Sequence, residues 1–155
     1  MTGRLHPGGL IPVLWGGLVA GALDLSDACI LYGVRGVSPV RIFQSIASGL
    51  VGPAAYQGGA ATAVLGVTLH LTIATTIALV YVLASTRIPL LVRRPVICGM
   101  IFGLGAFVVM QFGVVPLSRI GWRPLPAYVI VNGVLIHAFG VGLPIALIAA
   151  RWARR

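Results

Sequence analysis

Four uninterrupted apolar runs, each long enough to cross a bilayer, constrain this chain more than any other feature. They cover about 10–34, 60–84, 95–115 and 127–150, and a spanning helix needs about 20 apolar residues. In hydrocarbon every backbone polar group must find its partner within the protein, which leaves only helices and closed barrels. The runs are continuous rather than alternating, so they predict helices. Only 8% of the 155 residues are charged, against roughly 25% in a soluble domain, which excludes an ordinary soluble fold. A hydrophobic share of 59% excludes intrinsic disorder. The expected fold is all-α: an integral membrane four-helix bundle over 1–155.

All eleven basic residues are arginine, and the two acids are Asp24 and Asp27. A net charge of +9 would suggest nucleic acid in a soluble protein. Here the arginines stand singly or in pairs between apolar runs, and no basic face can be assembled. They read as topology signals and lipid-headgroup contacts, so the expected partner is the bilayer and not nucleic acid. One side carries Arg4, Arg87, Arg93, Arg94, Arg151, Arg154 and Arg155; the other carries Arg35, Arg41, Arg119 and Arg123. The excess on the first side places both termini in the cytoplasm. Trp15, Tyr81 and Trp152 fall toward one surface, and Tyr32, Tyr56, Trp122 and Tyr128 toward the other, as aromatic belts do. Arg4, the following apolar stretch and Ala20-Gly21-Ala22 also fit a cleaved signal peptide. The run continues to Val34, however, and favours a retained span. Cys29 and Cys98 fall near opposite surfaces, too far apart for a disulfide.

The connection 35–59 is too long for a simple turn. Ser38-Pro39 reads as an N-cap followed by proline at the first helical position. A short helix over about 38–49 follows, ended by Gly49. It lies in the outer interface or re-enters the bundle on its small, polar face (Ser45, Ser48, Gly49, Gly52). Gly66-Val67-Thr68-Leu69-His70 recurs as Gly133-Val134-Leu135-Ile136-His137. Gly21 aligns with Gly99, and Arg41-Ile42 with Arg119-Ile120. The bundle therefore reads as two parallel tandem two-helix repeats, about 10–84 and 95–150, related by an axis along the membrane normal.

Counting about 1.5 Å per residue places Asp24, His70 and His137 in one layer near mid-membrane. Asp27, Gln111 and Asn132 form a second layer slightly further out. Small residues at Gly17, Gly21, Gly66, Gly99, Gly103, Gly133 and Gly140 mark the faces where helices meet, and the polar groups share those faces. An aspartate at a helix centre costs about 2.5–3.5 kcal/mol on insertion scales. Asp24 and Asp27, one turn apart on one face, therefore call for a proton or a cation. His70, His137, Arg35 or a bound metal could supply it. Two readings follow for the acids, helix glue or a proton or cation site. Three follow for the histidines: hydrogen-bonded core groups, a metal site with Asp24, or a haem or pigment pair. No phosphate loop, nucleophile elbow or zinc-protease motif is present. A lipid-modifying enzyme would have to work through the Asp and His layer.

Gly21-Ala22-Leu23-Asp24, Gln44 to Leu50, Val115-Pro116-Leu117-Ser118 and Asn132 to His137 together resemble a group of small four-helix bacterial inner-membrane proteins. More distantly, the last two helices are similar to the YagU-like membrane proteins. The resemblance implies four spans and a bacterial inner membrane, and it brings no activity or site. Small size, GxxxG faces and thin loops favour an accessory or scaffold subunit of a larger membrane assembly, built with other subunits or with itself. The alternative is a protein that binds or moves a proton, metal cation or small ligand inside the bundle.

Overall fold

A computed structural model describes residues 9–154; Arg4 and Arg155, counted above for topology, lie outside them. The described residues are helical with no strand. Four helices are long and apolar enough to cross a membrane: α1 (Leu10–Gly33), α3 (Gly59–Arg87), α4 (Pro95–Leu117) and α5 (Ala127–Ala153). Between the first two lies α2 (Pro39–Val51). Ser38 caps it through its side chain, which accepts from the Arg41 amide at 3.4 Å, and Pro39 opens it. Gly49 does not end it as expected. The helix runs on to Val51 and stops at Gly52, whose φ of 76° is accessible to glycine. A 3-10 turn over Gly52–Gln57 then leads into α3.

The spans stand in the spatial order α3, α1, α5, α4, with α2 lying across α3. Glycines set the three closest crossings. At Gly17 a Cβ would come within 2.5 Å of the Thr75 Cα and Oγ1, and at Gly21 within 2.9 Å of the Leu71 side chain, so the α1 backbone lies directly against α3. At Gly66 a Cβ would lie 1.9 Å from the Phe43 carbonyl oxygen, which seats α2 directly on α3. At Gly99 and Gly103 it would lie 2.8 Å from the Gly142 carbonyl and 1.9 Å from the His137 carbonyl. The partner glycine on α5 is Gly142, whose own Cβ would meet Gly99 and Gly103 at 2.1 and 2.5 Å. Gly140, chosen from sequence, makes room for the Ile136 side chain of its own helix, 2.4 Å from an added Cβ, and faces Leu23 of α1 only at 3.8 Å; Gly133 makes room for the Phe107 ring.

The Gly17/Gly21 and Gly99/Gly103 crossings correspond. Gly17 meets Thr75 and Gly99 meets Gly142, and each partner stands five residues after His70 or His137. These contacts pair Gly17 with Gly99 and Gly21 with Gly103, one turn away from the Gly21–Gly99 alignment read from sequence.

Both α4 and α5 widen into π-helical turns that the sequence reading did not anticipate, over Met110–Val114 and Ile136–Gly142. Each precedes or includes the position four residues before a proline, Pro116 or Pro144. A proline ring strikes the carbonyl four residues back and offers it no N–H. A widened turn relieves both defects and is a usual accommodation in membrane helices. The outward threonines of α3 need no external partner: Thr68, Thr72 and Thr76 donate to carbonyls four residues back at 2.8–2.9 Å.

Candidate functional site

Near the middle of α1, Asp24 faces His70 from α3 and His137 from α5. Asp24 Oδ2 lies 3.6 Å from His70 Nε2, and Oδ1 lies 4.0 Å from His137 Nδ1. The expected Asp–His–His layer is therefore assembled, and the reason is local. Gly21 lets α3 approach α1 until His70 Nε2–H donates to the Gly21 carbonyl at 3.1 Å. Inside the π turn of α5, His137 Nδ1–H donates to the Gly133 carbonyl at 3.0 Å. The Phe107 ring meets the His137 ring edge-on, with centroids 5.4 Å apart.

These bonds fix the histidine tautomers. A carbonyl oxygen only accepts, so the nitrogen nearest Asp24 on each imidazole carries a proton. The two lone pairs needed for metal ligation point away from the carboxylate. Among the described residues no group of three His, Cys, Asp or Glu side chains is arranged to hold a metal ion. The Asp24 side chain keeps 23% of its surface open, and its neighbours at 3.6 and 4.0 Å are beyond hydrogen-bond length.

That open surface faces a cavity of about 420 Å³, within the range of small-molecule sites. Its back wall is α1 and α5 (Ala20, Asp24, His137, Val141); its sides are α3 (Leu69, Ile73, Ile77) and α4 (Phe107, Met110, Gln111, Val114). One turn past the lining residue Ile77, Tyr81 of α3 meets Phe102 of α4 ring to ring at 4.9 Å, and the Tyr81 hydroxyl donates to the Leu91 carbonyl at 2.9 Å. At the other end stands α2, lining the cavity with Ser45, Ile46, Gly49 and Leu50. There the Arg119 amide donates to the Gly49 carbonyl at 2.9 Å, and Gly49 sits against Ser118 and Ile120. Between these ends α3 and α4 hardly touch, so the cavity opens sideways between them.

The second expected layer divides. Asp27 and Asn132 pair, with Asn132 Nδ2 donating to Asp27 Oδ2 at 2.5 Å and joining α1 to α5. Gln111 lines the Asp24 cavity instead. Arg35 supplies no counter-charge to the acids: its guanidinium lies 4.1 Å over the Tyr128 ring and donates to the Leu31 carbonyl. Cys29 and Cys98 are free thiols. Sequence reasoning missed Gln44 as a structural group. It is 5% exposed and donates through Nε2 to the Gly59 carbonyl at 3.0 Å, pinning α2 to the start of α3. Its signal was the buried spacing of Gln44, Ala47 and Ser48 on one helix face. Compared with family models, curated proteins and solved structures, the chain matches none.

Proposed function

We propose that this multi-pass membrane protein binds a small, largely apolar molecule carrying a cationic group, taken up sideways from the bilayer and held at Asp24. One observation carries the reading. Asp24 presents an open carboxylate to a cavity whose other walls are mostly apolar, while both neighbouring imidazole N–H groups are already donated to backbone carbonyls. A carboxylate in such a place needs a positive partner or a proton. A ligand cation supplies the first, and apolar walls accept the rest of the molecule. Protonated histidines could also serve, and they would then compete with the ligand. The arginine distribution supports a bacterial inner-membrane setting with both termini cytoplasmic. The corresponding glycine crossings support descent from a tandem two-helix repeat. In that correspondence Asp24 pairs with Ala106, so only the first repeat brings an acid. The burial of α2 against α3 supports a helix that returns toward the bundle rather than one lying flat on the surface.

The test is saturable binding of labelled tetraphenylphosphonium to the purified protein in mild detergent. Wild type binds, and Asp24→Asn, which keeps the shape and removes the charge, loses at least about tenfold in affinity, or 1.4 kcal/mol. Absence of saturable binding, or equal binding by both proteins, refutes the reading. An accessory role in a larger assembly is the second reading. It is favoured by Gly105 on α4, where an added Cβ would meet no other element among the described residues, and which sits among exposed Ile101, Val108 and Val109. It predicts that Asp24→Asn leaves binding partners unchanged while bulky substitution of Gly105 removes them.

A further inference from the structure

A second, smaller cavity of about 190 Å³ adjoins the first on the α2 side. The two share Ser45, Gln111, Val115 and Ile120 as walls. The lining changes character along the way. Around Asp24 it is mostly apolar; beyond Gln111 it gains Ser48, Tyr56 and Arg123. Arg123 is exposed and stands in the loop between α4 and α5. Gln111 sits where the cavities meet, on the π turn of α4, which shifts its side chain out of α-helical register. At the opposite end the Tyr81–Phe102 contact joins α3 to α4, and a separate cavity of about 570 Å³ beside Pro95, Leu147, Arg151 and Arg154 shares no wall with these two.

We infer that the two cavities form one water-lined passage leading from the α2 face to Asp24, with Gln111 at its junction and no continuation into the separate cavity beside Pro95 and Arg151. Water at depth requires polar partners and room. Both are present on this side: the serine hydroxyl oxygens, which donate to Ile42 and Ser45 carbonyls, keep their acceptor capacity, and the Gln111 amide faces the junction. The passage lets water, a proton or a small cation reach Asp24 from one membrane face while the apolar ligand enters from the side. A proton arriving there meets Asp24 together with His70 from α3, His137 from α5 and Asp27 one turn away on α1; α2 and α4 present only neutral groups to it. The inference takes its purpose from the reading of Asp24 as a binding carboxylate, but its geometry can be tested without any ligand.

The test is cysteine accessibility in sealed vesicles, on a background carrying Cys29→Ala and Cys98→Ala. A charged, membrane-impermeant methanethiosulfonate reacts with thiolate, which forms only where water reaches. Ser45→Cys changes one atom, and Gln111→Cys probes the junction. Val108→Cys, on the outward face of α4 and 52% exposed, reports the lipid-facing rate. Monodisperse gel filtration shows that each variant is folded. With reagent on the α2 side, Ser45→Cys and Gln111→Cys should react at least about tenfold faster than Val108→Cys. With reagent on the opposite side, neither should exceed it. Equal rates at all three positions overturn the passage, and labelling of Gln111→Cys from the opposite side overturns its one-sidedness. If labelling fails while tetraphenylphosphonium binding persists, Asp24 is reached from the bilayer alone and the binding reading stands.

Discussion

Replacing Gly103 by alanine should damage both the α4–α5 crossing and the site behind it. The new Cβ would stand 1.9 Å from the His137 carbonyl oxygen, 2.7 Å from its carbon and 3.1 Å from the Ala138 Cα. All three are backbone atoms, so no side chain can swing aside. Real Cβ atoms essentially never approach within 3.0 Å, so α5 must retreat by at least about 1.1 Å at His137. Forced overpacking of this kind costs about 1–3 kcal/mol, and the better helix propensity of alanine returns up to about 1 kcal/mol. With that return the net loss reaches about 2 kcal/mol, or up to roughly 30-fold in the unfolding equilibrium. Because His137 moves with the backbone, its contact with Asp24 should open as well. Unfolding in mixed micelles followed by circular dichroism measures the first effect, and tetraphenylphosphonium affinity the second. The control is Gly105→Ala, two residues away on the same helix, where a Cβ meets open space; it should unfold like wild type or slightly later. If Gly103→Ala is as stable as Gly105→Ala, the close crossing is not a constraint and the argument fails.

The other expectations concern the elements that frame the cavity. Gly66→Ala drives a Cβ to 1.9 Å from the Phe43 carbonyl. It should lift α2 from α3 and loosen the backbone around the already exposed Arg41, so trypsin cleaves there well above the wild-type rate; unchanged cleavage would show that α2 is held by other means. Asp27 and Asn132 should show a coupling of about 1 kcal/mol in a double-mutant cycle with alanine, typical of interhelical bonds in membranes. Strictly additive losses would mean that their 2.5 Å contact contributes nothing to the α1–α5 interface.

Much of the framework was legible in the residues because membrane helices obey severe rules. A helix must be about 20 apolar residues long, and helices meet where side chains are small. Those rules located the four long apolar helices to within a few residues and picked Gly17, Gly21, Gly66, Gly99 and Gly103. They also put Asp24, His70 and His137 at one depth, because rise per residue converts position into height. They failed where the answer depends on neighbours. α2 ends at Gly52, which takes the positive φ of 76°, while Gly49 stays helical and accepts from the Arg119 amide. Arg35 looked available to the acids by height, yet it turns to Tyr128 and its own helix. Gln111 shared a height with Asp27 and Asn132, but the π turn of α4 gives it to a different face. Pro116 was the visible signal for that turn, as Pro144 was for the one in α5.

The sequence by itself determined that the chain is helical, that four of its helices are long enough to span a membrane, and that a few polar groups must share the interior. These follow from hydrocarbon's intolerance of unpaired backbone and charge, which acts on each segment alone. Only the tertiary structure decided that α3 and α4 part to leave a cavity. It alone turned both histidine N–H groups to backbone carbonyls and left the Asp24 carboxylate open. Those outcomes depend on which glycine meets which carbonyl across a crossing, and a separation of a few tenths of an ångström between helices is not written in any one of them.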